Sequence, residues 1–314
     1  MTEQLTVKGN VSVKPRVAFH GEGNLKSRKF WQVIAFFVLY LAGLITIVAI
    51  VFVIGYVIKV GAPALTWEFL TTDPKGGLAG EGGIRSTIIT SIYLVILVLL
   101  WAVPFGIGAG IYLMEYAEDP QNSTNKLAKF TIKIAHFGVE TLAGIPSIIF
   151  GLFGYALFVT TLNMGFSLLA ASLSGACLVL PTIIRTTEEA LRAVPRSYRE
   201  ASLALGATKW QTIYKVVLPA ASPGIITGII LTIGRIIGET AVFFVTLGGS
   251  SGTPKTLLSG GRTMALHVYY LAMDTRAFEK AMATGVVLIF SIMLINLVVN
   301  IMSNRLQSDL RGER

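Results

Sequence analysis

The chain has 314 residues, of which 53% are hydrophobic and 14% charged, with a single cysteine and a formal net charge of +9. Soluble domains carry about 25% charged residues, so this deficit points to a chain that faces lipid. The lone Cys177 excludes an intrachain disulfide and a cysteine metal cluster, and the positive charge does not mark a nucleic-acid binder, because it lies in the gaps between apolar runs.

Residues 1–29 form a polar, basic tail. The run that follows, Phe30 to Ile58, holds no charged residue; it is too long for a signal-peptide core and no small-residue cleavage pattern follows it, so a retained helix is expected. Ser86 to Met114, Thr141 to Ile184 and Ala281 to Asn304 are likewise free of charge. A spanning helix needs about 20 apolar residues. The run from Thr141 to Ile184 would make one helix of about 66 Å, so it must fold back, and Asn163-Met164-Gly165 is its expected turn. Ala221 to Leu247 is broken only by Arg235 and Glu239. These runs predict an all-α, polytopic membrane protein with six helices near 31–58, 86–114, 134–160, 167–185, 222–247 and 281–303. The expected organisation is a tail to 29, a first helix and outer loop over 30–85, a five-helix domain over 86–303, and a second tail over 304–314. Pro104, Pro146 and Pro181 are candidate kinks or packing features.

Lysine and arginine are placed unevenly. With the N-terminus inside, eighteen of the 26 fall on the cytoplasmic side and seven outside, which predicts cytoplasmic termini. The outer Lys255 and Arg262 are expected in a solvated loop, with a positive rim that draws anions as the alternative.

Between the fourth and fifth spans lies a basic loop, about 186–220, on the cytoplasmic side. Arg185 to Arg192 extends the fourth span as a charged helix that Pro195 stops. Ser197 with Glu200 three residues on suggests a capping box, Ala201 to Leu205 are helix formers, and Gly206 suits a terminating turn. A second helix is expected over about Thr208 to Val217, running to Pro219.

Charges at membrane depth cost about 2.5 kcal/mol or more, so those present face protein or water. Arg235 and Glu239 are four apart, share a helix face and can pair, either as an oxyanion site held by the carboxylate or as a structural lock. Gly234 and Gly238 would let a neighbouring helix approach closely. Glu140 either pairs with an arginine or sits at the interface near Gly144-Ile145-Pro146-Ser147. Arg185 either snorkels to headgroups or meets an anion on its way out.

Catalytic signatures are missing. The nearest approach to a phosphate-binding loop, Gly249 to Thr256, has Pro254 in a glycine position. His20, His136 and His267 offer no metal-ligand spacing. No metal or cofactor is expected, and an intramembrane enzyme or ATP-independent channel is a remote alternative.

Glu200, Ala201 and Ser202, with Gly206, Leu218 and Pro219, resemble the EAA loop of ABC importer permeases, which docks a short helix into a cytoplasmic ATPase. The segments Leu142 to Ser147, Pro181 to Glu189, Arg235 to Thr240 and Thr263 to Tyr269 are similar to the PstA-type permeases of phosphate ABC importers, over about Pro63 to Asn304. This resemblance implies the type I ABC importer permease fold, phosphate as cargo, a PstC-type permease partner, two PstB-type ATPases and an extracytoplasmic phosphate-binding protein. It also implies roles in phosphate passage for Arg235, and for Arg185 and Glu239; Glu140 joins them as a candidate pathway residue on its own placement. Sulfate, molybdate and phosphonate permeases share the loop, so another oxyanion is the rival cargo. Ser202 departs from the usual alanine.

Overall fold

A computed structural model describes residues 25–75, 80–116, 126–275 and 277–311. Most of the expected basic tail, residues 1–24, lies outside that set. The described residues are helical, with isolated backbone bridges at Pro74–Gly82 and Gly248–Gly261 and no strands. The chain divides into two units, residues 1–55 and 56–314.

The first unit contributes most of α1 (Leu25–Gly61), whose apolar side chains from Phe30 to Ile54 are exposed on every face. A helix that is apolar all round suits hydrocarbon.

In the second unit, α1 ends and a short α2 (Trp67–Thr71) follows, capped by the Thr66 hydroxyl. The long helices are α3 (Arg85–Ile111), α6 (Leu168–Arg192), α9 (Leu218–Gly238) and α12 (Phe278–Arg311). Helix α3 continues through a wide π-helical turn, Tyr112–Tyr116. Helix α6 is the centre of this unit and packs between α3 and α9.

Glycines set both crossings. A Cβ on Gly106 or Gly110 of α3 would strike Ile183 or Thr187 of α6, and one on Gly224 or Gly228 of α9 would strike Ala190 or Thr186. Each pair is four residues apart and lets backbones close up without a hydrophobic drive between helices. The expected close approach at Gly234 and Gly238 is not observed: a Cβ on either would meet no described atom within 4 Å. Those two face away from the chain's other helices, while the contact face lies two to three turns earlier.

Among the described residues, five helices are long and apolar enough to cross a membrane, or six if a bent pair counts as one span. That pair replaces the single helix expected over 134–160. Helix α4 (Lys126–Ala143) stops at Gly144-Ile145, and α5 (Ser147–Gly154), extended by a π-helical stretch to Thr161, leaves at 107° to it. Pro146 starts α5, where its missing N–H costs nothing. The expected turn is present: Asn163 and Gly165 take positive φ before α6. Helices α3 and α6 run unbroken through Pro104 and Pro181.

The fifth expected span is both longer and more broken than its sequence suggests. Helix α8 (Lys209–Thr212) leads through a π-helical turn, Ile213–Val217, directly into α9, so Pro219 does not end the helix. The widened turn gives the proline ring the room that a regular helix denies it. At its other end α9 stops at Gly238, and α10 (Ala241–Thr246) resumes after Glu239 and Thr240.

Beyond α10 the chain folds back over the starts of α3 and α6. Leu168 and Leu169 donate their N–H groups to Ser259 and Leu257, and Ser86 Oγ donates to the Ser251 carbonyl at 2.7 Å. Arg262, expected in solvent, is instead half-buried. Its Nε and one terminal nitrogen donate to the Gly249 carbonyl (3.0 and 2.7 Å), and its guanidinium lies 4.3 Å from the centre of the Tyr270 ring. The buried helix α11 (Met264–Met273), which periodicity does not announce, completes this end.

Candidate functional site: an exposed knob and a cationic track

Two sets of residues stand out, at the α6–α9 loop and along the facing sides of α6 and α9. The loop is built as a hairpin of short helices. Helix α7 (Arg196–Ala204) starts at Pro195 with no side-chain cap, so the expected Ser197 cap is absent. Ser197 lies one residue inside the helix, where its hydroxyl cannot take the capping position. The capping box belongs to the next helix: Thr208 Oγ1 accepts from the Gln211 N–H at 3.2 Å, and Gln211 Oε1 accepts from the Thr208 N–H at 2.9 Å.

Helix α7 ends as expected at Gly206, whose φ is +84°. The Gly206 N–H donates to the Leu203 carbonyl and the Ala207 N–H to that of Ser202, a Schellman closure that occupies the last carbonyls. The turn throws Leu205 outward at 90% exposure, with Leu203 and Trp210 also bare. Leu203, Leu205 and Trp210 thus leave apolar side chains uncovered around one exposed turn.

Glu200 and Ala201 are exposed on α7, whereas Ser202 faces inward. The Ser202 and Thr212 hydroxyls are 2.9 Å apart and tie α7 to α8. The alanine usual at that position has no such bond to offer. Leu218 and Pro219 lie further along the same rod, with Val217 and Ala221 beside them buried against Leu191 and Val194.

Along the membrane-spanning part, the four predicted pathway residues separate into two places. Arg185 and Glu140 meet, with a terminal guanidinium nitrogen 3.2 Å from a carboxylate oxygen, joining α6 to α4. They share a polar recess with His136, Glu188, Glu189 and Arg192, about 260 Å³ in volume. Arg235 and Glu239 do not pair. The helix ends between them, and Glu239 Oε1 accepts from the N–H groups of Ala241 and Val242 (3.0 and 3.3 Å), capping α10. A spacing of four brings side chains together only while the helix lasts.

Arg235 is left exposed, with a hydrogen bond to Thr182 Oγ1 at the long distance of 3.5 Å. Thr182 stands one turn before Arg185 and Thr186 on α6, so Arg235, Thr182 and Arg185 fall along one track. A guanidinium with open donors, beside hydroxyls and away from a carboxylate, can take an oxyanion in its planar fork.

Residues 102–312 match the family described as binding-protein-dependent transport system inner membrane component. The chain is 33% identical over 259 residues to a probable ABC transporter permease protein, YqgI, of Bacillus subtilis, covering 77% of this chain and 85% of that one. It is 34% identical over 260 residues to the phosphate transport system permease protein PstA of Mycobacterium leprae, covering 81% and 82%. Among solved structures, a chain of the bacterial alginate ABC transporter, crystallised with a pentasaccharide-bound periplasmic protein, superposes with a TM-score of 0.62 at 18% identity, over 89% of this chain and 96% of that one. A chain of the inward-facing MetNI methionine ABC transporter superposes at 0.54 and 21% identity, covering 71% and 94%.

Proposed function

Since the chain belongs to the family of binding-protein-dependent transport system inner membrane components, we propose that it is the permease subunit of an ABC importer for inorganic phosphate. The observation that carries the choice of cargo is the likeness to PstA-type permeases over four-fifths of the chain. The fold is that of ABC importer permeases, and the chain is a multi-pass membrane protein.

The remaining parts of the machine belong to the same reading and rest on the likeness to PstA-type permeases. The bare turn around Leu205 and Gly206 docks on a cytoplasmic ATPase, a PstB-type subunit present in two copies. Chemistry therefore resides outside this chain. A PstC-type permease forms the other half of the pathway, and an extracytoplasmic phosphate-binding protein delivers the anion at the end built from α10, α11 and the loop between them. The lysine and arginine bias supports cytoplasmic termini and puts the docking knob on the ATPase side of the inner membrane.

Within the pathway, Arg235 offers an unpaired positive charge at membrane depth, and Arg185, shared with Glu140, offers a second one nearer the knob. ATP binding closes the ATPases, moves the knob and rocks the permeases to face outward, and hydrolysis returns them. The test is uptake of labelled phosphate at low micromolar concentration by cells lacking this chain and any other high-affinity phosphate system. Wild type restores uptake, and Arg235→Ala at equal membrane level restores less than a tenth of it. Uptake that is the same with and without the chain would remove phosphate as the cargo.

A further inference from the structure

One buried ion pair has no part in docking or in the anion track, yet it joins three helices. Glu115 lies in the π-helical turn that ends α3, and Arg199 lies on α7, one residue before Glu200. Their side chains are only 9% and 18% exposed. Arg199 Nε lies 3.1 and 3.3 Å from the two carboxylate oxygens, and a terminal nitrogen lies 2.6 Å from Oε1. The remaining donors reach the carbonyls of Leu191 and Val194, both at 2.9 Å, at the end of α6. A single planar guanidinium thus holds the end of α3, the end of α6 and the start of the knob.

A second contact repeats the connection. The Lys209 ammonium, at the start of α8, lies 4.9 Å from the centre of the Tyr116 ring, one residue beyond Glu115. Both helices of the knob are therefore tied to the last turn of α3. That turn is π-helical, and each added residue rotates the side chains beyond it by about 100°. Glu115 sits within this turn and meets Arg199 of α7.

We propose that Arg199 and Glu115 are positioning residues that transmit movement of the knob to α3, so that the knob, α3 and α6 move as one body when the ATPases close. This rests on the importer reading above. Without the pair, the ATPase would still dock on Leu205 and its neighbours and turn over, while α3 would no longer follow.

The experiment uses the full complex in proteoliposomes with its binding protein, comparing wild type, Glu115→Gln, Arg199→Ala and Arg199→Lys. Glu115→Gln keeps the shape and an acceptor oxygen, so it guards against simple misfolding of the alanine variant. The expected result is normal co-purification with the ATPase and near-normal ATP hydrolysis, with phosphate moved per ATP at least tenfold lower in Arg199→Ala. Arg199→Lys recovers part of the ratio. An unchanged ratio in both Arg199→Ala and Glu115→Gln would overturn the proposal, as would loss of assembly in both, which would make the pair a folding element only.

A measurement independent of cargo separates this from failure of the phosphate assignment. Spin labels at the exposed Tyr112 and Tyr198 report the distance between α3 and α7. In wild type that distance stays fixed between nucleotide-free and ATP-trapped states, whereas in Glu115→Gln it changes or broadens. Equal change in both would sink the strut even if phosphate is transported. A fixed distance in wild type and a changed one in Glu115→Gln would keep it even if another anion is the cargo.

Discussion

Gly206 is a residue at which the proposed docking role can be separated from folding. Its left-handed backbone costs an ordinary L-residue about 1–2 kcal/mol, but the space around it is empty, so a substitution meets no steric clash. Gly206→Asp is expected to insert normally and to lose co-purification with the ATPase, because it adds strain and a charge at the docking turn. Retained co-purification would count against that role. His267 behaves in the opposite way. It is buried beside Arg262, whose terminal nitrogen lies 3.4 Å from Nδ1. Burial first, and the arginine's charge second, lower its pKa to about 3. The unfolded chain, with a histidine near 6.5, therefore binds the proton more readily than the folded one. Stability is unaffected above pH 6.5 and falls as the pH drops from there towards 3, by roughly 2 kcal/mol at pH 5. His267→Asn, which keeps an acceptor for Arg262, should flatten the fall in thermal unfolding temperature between pH 7 and 5; a slope equal to wild type would assign the acid sensitivity elsewhere.

At the scale of elements, the glycine crossings separate what patterning reveals from what it hides. Charge-free runs locate the helices because water-facing charge is excluded from hydrocarbon. They do not say which face meets a neighbour, since α3 and α9 are apolar on most sides. The pair Gly234 and Gly238 has the same spacing as Gly224 and Gly228, and only the second touches α6. Gly228→Val should therefore lower stability by about 1–3 kcal/mol through overpacking against Thr186, seen as a lower unfolding temperature in detergent. Gly234→Ala should leave the isolated chain's unfolding temperature unchanged. The reverse ranking would mean that the α6–α9 crossing is misplaced. Helix ends are equally mixed in their legibility. Gly206 announces its turn, because a positive φ favours glycine. Glu239 does not announce its own, because its spacing from Arg235 fits a pair and a cap equally well until the helix is seen to end at Gly238. The break at Gly144 to Pro146 is visible in the sequence, but its 107° bend depends on packing between distant segments.

For the whole molecule, the membrane class, the apolar segments and the turn at Gly206 are readable from the residues, because each rests on local composition. Which arginine meets Glu140, the Ser202–Thr212 bond and the Arg199–Glu115 pair are not, because each joins residues that only the tertiary fold brings together. The same fold makes Lys209 to Gly238 one rod, with the knob at one end and Arg235 near the other. Its tightest crossing, Gly228 on Thr186, divides it unequally: about 28 Å lie on the knob side and about 10 Å on the Arg235 side. Seated on α6 at both Gly224 and Gly228, and tied near its knob end to α6 through Arg199, the rod has no free pivot between, so a push at the knob would carry rod and α6 together.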